Sequence, residues 1–418
     1  MATAFRALRH RAFRTFFVGQ FLSIVGSWMQ TVATSWLIYR LTGSALLLGV
    51  AAGVQQLPML FVSPLAGVWA DRIDRRRLLI GIQSLAALQA FALALLTFRG
   101  EITPYHLIAI SCLLGAINAV ETPTRQAFLI EMIESRQDLP NAIALNSMQF
   151  HAARFIGPSI AGIVLAEAGE AWCFLANGLS YVVIVAAYAL IRVAARPPAG
   201  EKGALIHELK SGFAYSFGFL GTRRILLLLG AVGLFTSPWS TLMPIFAKEV
   251  FSGDSRTLGF LIGSVGLGAV TATVLLATRG SVRGLGRVVA ASTIVAGTAL
   301  SAFSLSRTLW VGLPLLAVFG FGLIATIASC NTILQTVADE DKRARVISIY
   351  VMVLLGIGPL GSFVAGAIAE FIGAPLTITA CGILEAAAGV AFAAGLKRWA
   401  QAVRPVYQRQ GLIPDPQD

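Results

Sequence analysis

The chain has 418 residues, of which 56% are hydrophobic and only 12% charged, with 41 glycines and a mean hydropathy of +0.77. A water-soluble domain keeps about a quarter of its residues charged, so a soluble globular fold is excluded and lipid is the solvent. The formal net charge of +12 raises nucleic acid as a partner, but the placement of the basic residues argues against it.

A hydrocarbon core about 30 Å thick takes about 20 apolar residues per helical span. The sequence divides into twelve such spans: 15–39, 44–70, 78–98, 104–126, 141–168, 171–192, 224–248, 257–278, 285–306, 309–337, 344–371 and 374–396. The first is longer than a signal-peptide core and no small-residue cleavage pattern follows it, so it is read as a retained span. Within it Gln20, Ser23, Ser27, Thr31 and Thr34 recur every three or four residues, a polar face that meets water or a neighbouring helix. Spans two and three are joined by "DRIDRRR" (71–77), in which six of seven residues are charged. So short a link makes them antiparallel neighbours, and Asp71 can accept hydrogen bonds from the exposed N–H groups that begin another helix.

A charged side chain at mid-bilayer costs about 2.5–3.5 kcal/mol and is a functional candidate by default. Span four holds Glu121 and Arg125, whose i,i+4 spacing also fits a structural ion pair. Arg154 sits halfway along span five with His151 one turn before it; its partner is Glu121, a substrate anion or backbone carbonyls. Gly157, Pro158 and Gly162 in "FIGPSIAG", Pro238 and Pro244 in span seven, and Gly358 and Pro359 in "LGIGPLGSFVAG" permit kinks and close helix contact. Span ten repeats the polar stripe with Thr326, Ser329, Thr332 and Gln335, and span twelve carries Glu385 at its middle. Cys112, Cys173, Cys330 and Cys381 lie inside spans without CxxC or Cys/His clustering, so they read as packing residues, with no metal or disulfide expected.

The longest hydrophilic break, 193–223, contains Leu205, Leu209, Phe213 and Phe217 at four-residue intervals. That is the pattern of an amphipathic helix lying in the membrane interface. The break divides the chain into a first six-helix half (1–192), a linker (193–223), a second half (224–396) and a tail (397–418). "GPSIAGIVLAEAG" (157–169) and "GSFVAGAIAEFIG" (361–373) align without gaps, and two matching halves point to a transporter with its site between them. With the N-terminus inside, 26 of the 32 basic residues fall on the inner side and five on the outer, with Arg154 within a span. This is the positive-inside pattern, with both termini cytoplasmic. The basic charge is a topology signal facing anionic headgroups rather than nucleic acid.

"GVWADRIDRRR" resembles the loop 2–3 signature of the major facilitator superfamily, fitted by Gly67, Ala70, Asp71, Arg72, Arg75 and Arg76, with Asp74 in place of a glycine. "ETPTRQAFLIEMI", "DLPNAIALNSMQF", "ARFIGPSIAG" and "CFLANGLSYV" resemble the branch holding enterobactin exporters and macrolide efflux proteins. The resemblance implies an all-α polytopic fold of twelve transmembrane helices in two pseudo-symmetric six-helix halves. It implies that Asp71 latches to the start of span eleven, near Val346, and to Arg125. It also implies that spans one, four, seven and ten surround a cavity. There Gln20, Ser23, Ser27, Trp28, Thr31, Asn118, Arg154, Trp239, Ser329 and Gln335 are the lining candidates, with Phe235 and the tryptophans available to stack on substrate. The Gly157-Pro158 pair resembles the superfamily's antiporter motif. For Glu385 the peripheral place of span twelve favours a structural role.

No Walker A pattern, second nucleotide motif or sizeable soluble domain is present, so neither ATP nor another cofactor is implied. No nucleophile–base pair points to an enzyme. The expectation is a bacterial inner-membrane protein, a monomer, exporting a siderophore or amphipathic drug-like molecule in exchange for protons. Glu121 is the first coupling acid and His151 the second. The alternatives are a lipid or lysolipid translocator and a non-transporting membrane sensor.

Overall fold

The computed structural model describes residues 5–135, 137–193, 213–279, 281–340 and 342–410, without the side chains of residues 60, 63–72, 344 and 355. Arg136, Leu205, Leu209 and most of the linker thus lie outside the described residues, as do the side chains of Asp71 and Arg72 and the surroundings of Gly67.

The described chain is helical throughout: α1 Arg11–Thr42, α2 Ala45–Arg72, α3 Arg75–Phe98, α4 Pro104–Glu131, α5 Leu139–Glu167, α6 Glu170–Leu190, α7 Leu220–Thr236, α8 Pro238–Ile245, α9 Ser255–Ala277, α10 Leu285–Leu305, α11 Leu309–Val337, α12 Arg343–Ile372, α13 Ala374–Ala394 and α14 Leu396–Arg409. Ten stretches are long and apolar enough to cross a membrane, one of them the composite Leu220–Val250. The apolar Ala45–Met59 part of α2 and the 29-residue α5 complete twelve spans. The polar ends of α1 and α4 run beyond the expected 15–39 and 104–126, because a helix can continue past the hydrocarbon where hydropathy no longer marks it.

The helix ends follow local chemistry. Gly43, at a φ of 62°, ends α1 with its N–H on the Tyr39 carbonyl, the left-handed cap that glycine adopts without a Cβ clash. The Asp74 side chain accepts from the Arg77 N–H at 2.8 Å and caps α3. Thr103 and His106 form a reciprocal capping box ahead of Pro104 at the start of α4, satisfying donors that a helix start leaves free.

The helices fall into two compact units, Met1–Gly200 with Thr241–Gly266, and Glu201–Ser240 with Leu267–Asp418. The last part of span seven, the link after it and the first part of span eight thus group with the first six spans, while α7 stays with the second unit. In the first unit α1 packs on α5 and α6, α3 on α6 and α4, and α2 on α4. Phe13, Phe16, Phe128 and Tyr188 fill its core. Backbones touch where glycine allows it: a Cβ on Gly115 of α4 would lie 1.9 Å from the Gln55 carbonyl oxygen of α2. In the second unit α10 packs on α11 and α13, and α7 on α12 and α13. The segment expected as a tail begins with α14, whose Trp399 is buried and donates its indole N–H to the Gly221 carbonyl at 2.9 Å.

Candidate functional site

In the first unit, the polar groups of α4 and α5 meet in an apolar surrounding. Arg125 Nε donates to Glu121 Oε1 at 2.7 Å, and both side chains are buried. The Arg125 guanidinium reaches Asn146 Oδ1 at 3.4 Å, and Gln149 Nε2 donates to the same oxygen at 3.1 Å. The i,i+4 spacing places acid and base on one face of α4, and α5 answers with amides at i,i+3. A buried ion pair persists only when its remaining hydrogen-bonding capacity is met this way.

Further along α5, the Arg154 guanidinium lies 5.5 Å from the centre of the Trp28 ring, within the range of a cation–π interaction. The contact depends on Gly157, where a Cβ would come 2.6 Å from Trp28 Cβ. His151 is half-buried one turn before Arg154, and its Nδ1 has no hydrogen-bond partner. Arg154, His151 and Trp28 thus form a cationic and aromatic corner between α1 and α5.

The polar stripe of α1 mostly turns inward to α6 rather than to water. Gln20 and Ser23 are buried; Ser27 Oγ is 3.0 Å from the Tyr181 hydroxyl, and Thr31 bonds back to the Ser27 carbonyl. The stripe therefore joins helices, the second of the two uses its spacing allows. Asn118 is exposed on α4. Trp239 is buried edge-on against Phe319 at 5.7 Å, so packing within the second unit holds it instead of an open wall.

The span-ten stripe divides: Thr326 is buried against the hydroxyls of Ser292 and Thr293, while the other three residues border cavities. Ser329 and Thr332 border one of about 250 Å³ with Leu276, Arg279 and Leu285, and Gln335 borders a second with Arg343 and Ile347. Gly358 and Pro359 are buried in α12.

The arginines of the 2–3 loop have local partners. Arg75 pairs with Glu131 at 2.6 Å at the end of α4. Arg76 donates to the Tyr188 and Ala189 carbonyls, covering acceptors that the end of α6 leaves open. Pro158 and Gly162 bring α5 against α9: a Cβ on Gly162 would lie 2.7 Å from the Ser255 carbonyl oxygen, and one on Gly259 would lie 2.5 Å from that of Pro158. Around this contact the Tyr39 hydroxyl donates to Glu249, Arg256 pairs with Glu167, and Ser255 Oγ donates to the Gly162 carbonyl at 3.1 Å.

One network was not among the sequence candidates. Gln30 of α1, Gln89 of α3 and Asn177 of α6 exchange side-chain hydrogen bonds of 2.6 to 3.3 Å, all three buried. Their amide character inside apolar spans was the available signal, since such groups at membrane depth must find partners. Among the described residues no group of three or more His, Cys, Asp or Glu side chains could hold a metal ion.

Residues 2–408 match the family described as transmembrane secretion effector. The staphyloferrin A transporter of Staphylococcus aureus is 28% identical over 88% of this chain and 92% of its own length. The multidrug efflux pump Tap of Mycolicibacterium fortuitum is 24% identical over 85% and 88%, and the enterobactin exporter EntS of Shigella boydii 25% over 81% and 80%. Among solved structures, a POT family transporter aligns with a TM-score of 0.72 at 12% identity, covering 93% of this chain and 96% of that one. A bacterial homologue of the human lysosomal transporter Spinster, captured inward-facing, aligns at 0.66 with 14% identity, covering 98% and 99%. These structures share the fold.

Proposed function

Because the chain belongs to the transmembrane secretion effector family of the major facilitator superfamily, we propose that it is a secondary active transporter exporting a siderophore or an amphipathic drug-like molecule. It is a multi-pass membrane protein and, as its family and relatives are transporters, not an enzyme. The observation that carries the reading is the pair of polar assemblies within the spans of the first unit. These are Glu121–Arg125 with Asn146 and Gln149, and Arg154 over Trp28. Charge buried at this depth is costly and is retained where it binds or moves something.

In this reading Trp28 offers an aromatic face and Arg154 a cation to the substrate, while Glu121 exchanges a proton with Arg125 as its counter-charge and His151 relays it. A proton falling through 100 mV releases about 2.3 kcal/mol, enough for roughly a fiftyfold gradient of a neutral substrate. The protein works as a monomer in the bacterial inner membrane with both termini cytoplasmic, its basic loops on anionic headgroups. Its 1–192 and 224–396 halves alternate access to the site. The latch assigned to Gly67, Asp71, Arg72, Arg75, Arg76 and Arg125 closes the inner side, with Arg75 and Arg76 also bracing their own unit.

The test is export from everted vesicles, offering staphyloferrin A, enterobactin and ethidium in turn under an imposed proton gradient. Gradient-dependent accumulation of at least one supports the reading. Accumulation of none, or accumulation driven by ATP with the gradient collapsed, contradicts it.

A further inference from the structure

Within the second unit, spans eight, nine and ten share a cavity of about 250 Å³. Leu276 in the last turn of α9, Leu285 at the start of α10 and Ala328 of α11 give it apolar walls. Its polar groups include Ser329 and Thr332 of α11 and Arg279 in the link after α9.

Ser329 is 1% exposed, and its hydroxyl has no hydrogen-bond partner. The other hydroxyls of α11 are all bonded. Thr326 meets Ser292 and Thr293, Thr332 donates to the Ala328 carbonyl at 3.0 Å, and Thr336 donates to the Thr332 carbonyl at 2.8 Å. A helical serine has the carbonyl one turn earlier within reach, yet the Ser329 hydroxyl leaves its own helix unbonded and borders the cavity instead. Buried hydroxyls are nearly always bonded, and the space beside this one is where a partner fits.

Arg279 is exposed. Its Nε donates to the Ser281 carbonyl at 3.1 Å and one terminal nitrogen donates to the Arg283 carbonyl, so the link between α9 and α10 fixes the guanidinium. The other terminal nitrogen makes no hydrogen bond to the described residues. A guanidinium held in advance loses little freedom when it takes up an anion. Arg283 and Arg287, exposed at the start of α10, add positive potential. Among the described residues no carboxylate lines the cavity, so no acid in it competes for the arginine.

The volume falls just under the roughly 300–1,000 Å³ of sites that enclose a drug-sized ligand, so the cavity takes one end of a molecule. A space this small brings a single headgroup within reach of both Arg279 and Ser329. We infer that it binds the anionic end of an amphiphilic organic anion, with a carboxylate or phosphate between Arg279 and Ser329 and the adjoining carbon skeleton against Leu276, Leu285 and Ala328. Two sources supply that chemistry: an acidic export substrate and an anionic membrane lipid. Use of the site in export rests on the export reading; its occupancy does not.

The test is photolabelling with dodecanoate that carries a diazirine on its chain. The protein is held in phosphatidylcholine nanodiscs, and labelled peptides are identified by mass spectrometry. The peptides holding Leu276, Leu285 and Ala328 are expected to be labelled above the level given by the corresponding neutral alcohol. Arg279→Gln weakens the apparent affinity roughly tenfold and Ser329→Ala roughly 2- to 10-fold. Ser329→Ala keeps or raises the melting temperature, since it removes an idle buried hydroxyl; a lowered melting temperature would make that hydroxyl structural and overturn the inference. Ser329→Leu fills the cavity and abolishes the specific labelling, and it decides the matter should Arg279→Gln, without its brace on the link, fail to fold. Equal labelling by acid and alcohol, or undiminished labelling in Ser329→Leu, overturns the inference. Competition by staphyloferrin A or enterobactin supports it with substrate as the occupant, competition by phosphatidylglycerol in the disc supports it with lipid, and competition by none of them overturns it. Specific labelling of a protein that exports none of the offered substrates would sink the export reading and leave this site standing; no specific labelling beside gradient-driven export would do the reverse.

Discussion

Arg125 donates from Nε to Glu121 Oε1 at 2.7 Å across one turn of α4, with Asn146 of α5 beside the guanidinium. Removing one partner leaves the other as an uncompensated buried charge, which costs about 3–5 kcal/mol. Glu121→Gln is therefore expected to lower the melting temperature and to abolish gradient-driven export. The double change Glu121→Gln with Arg125→Gln regains most of the stability but not the export. Thermal unfolding in detergent and transport in everted vesicles read the two effects separately, and a Glu121→Gln protein that still exports on the gradient removes this acid from coupling.

Trp28 and Arg154 form the corner assigned to substrate. A cation–π contact is worth about 0.5–2 kcal/mol, so Trp28→Ala is expected to weaken transport roughly 2- to 30-fold, chiefly in apparent affinity, while Trp28→Phe retains most of it. Substrate-induced change in Trp28 fluorescence, measured with the other six tryptophans replaced by Phe, checks the contact directly. An unchanged apparent affinity in Trp28→Ala would remove Trp28 from the site.

Gly162 and Gly259 let α5 and α9 touch through their backbones. Gly259→Val places side-chain atoms where the Pro158 carbonyl now lies. The helices must separate, and the ion pair Arg256–Glu167 and the hydrogen bond from Tyr39 to Glu249 around the contact are expected to break. Faster labelling of an engineered cysteine at Ser255 in Gly259→Val than in the parent checks this, and equal rates would mean the contact tolerates the added volume.

Arg76 closes the last turn of α6 through two carbonyls. Hydrogen bonds from a charged donor contribute about 1.5–3 kcal/mol, so Arg76→Ala is expected to lower thermal stability while topology, measured by protease or reporter fusions, stays as in the parent. A loss of correct topology without loss of stability would assign Arg76 to insertion instead.

The approximate number of spans was legible in the sequence, since it follows from composition along the chain, and so was the close approach at Gly157 and Gly162; the contacts at Gly115 and Gly259 were not, because glycine is frequent in every span. Side-chain partners were legible only at short range. Glu121 and Arg125 were visible as an i,i+4 pair. The contact of Gln30 with Gln89 and Asn177 was not, because helices apolar on most sides carry little signal of how they are rotated about their axes. The stripe Gln20, Ser23, Ser27 illustrates the same limit: its spacing defined a polar face but not whether water or Tyr181 would meet it. Leu396, Trp399 and Val403 were a readable amphipathic pattern in the tail, hidden by its high charge.

The central claim is that substrate and protons exchange across the membrane. The most direct measurement is of luminal pH in proteoliposomes holding the purified protein and a trapped pH dye, as staphyloferrin A, enterobactin or ethidium is added. Proton movement opposite to the substrate, present in the parent and absent in Glu121→Gln, is the predicted result; substrate transport with no accompanying change in pH would contradict the account.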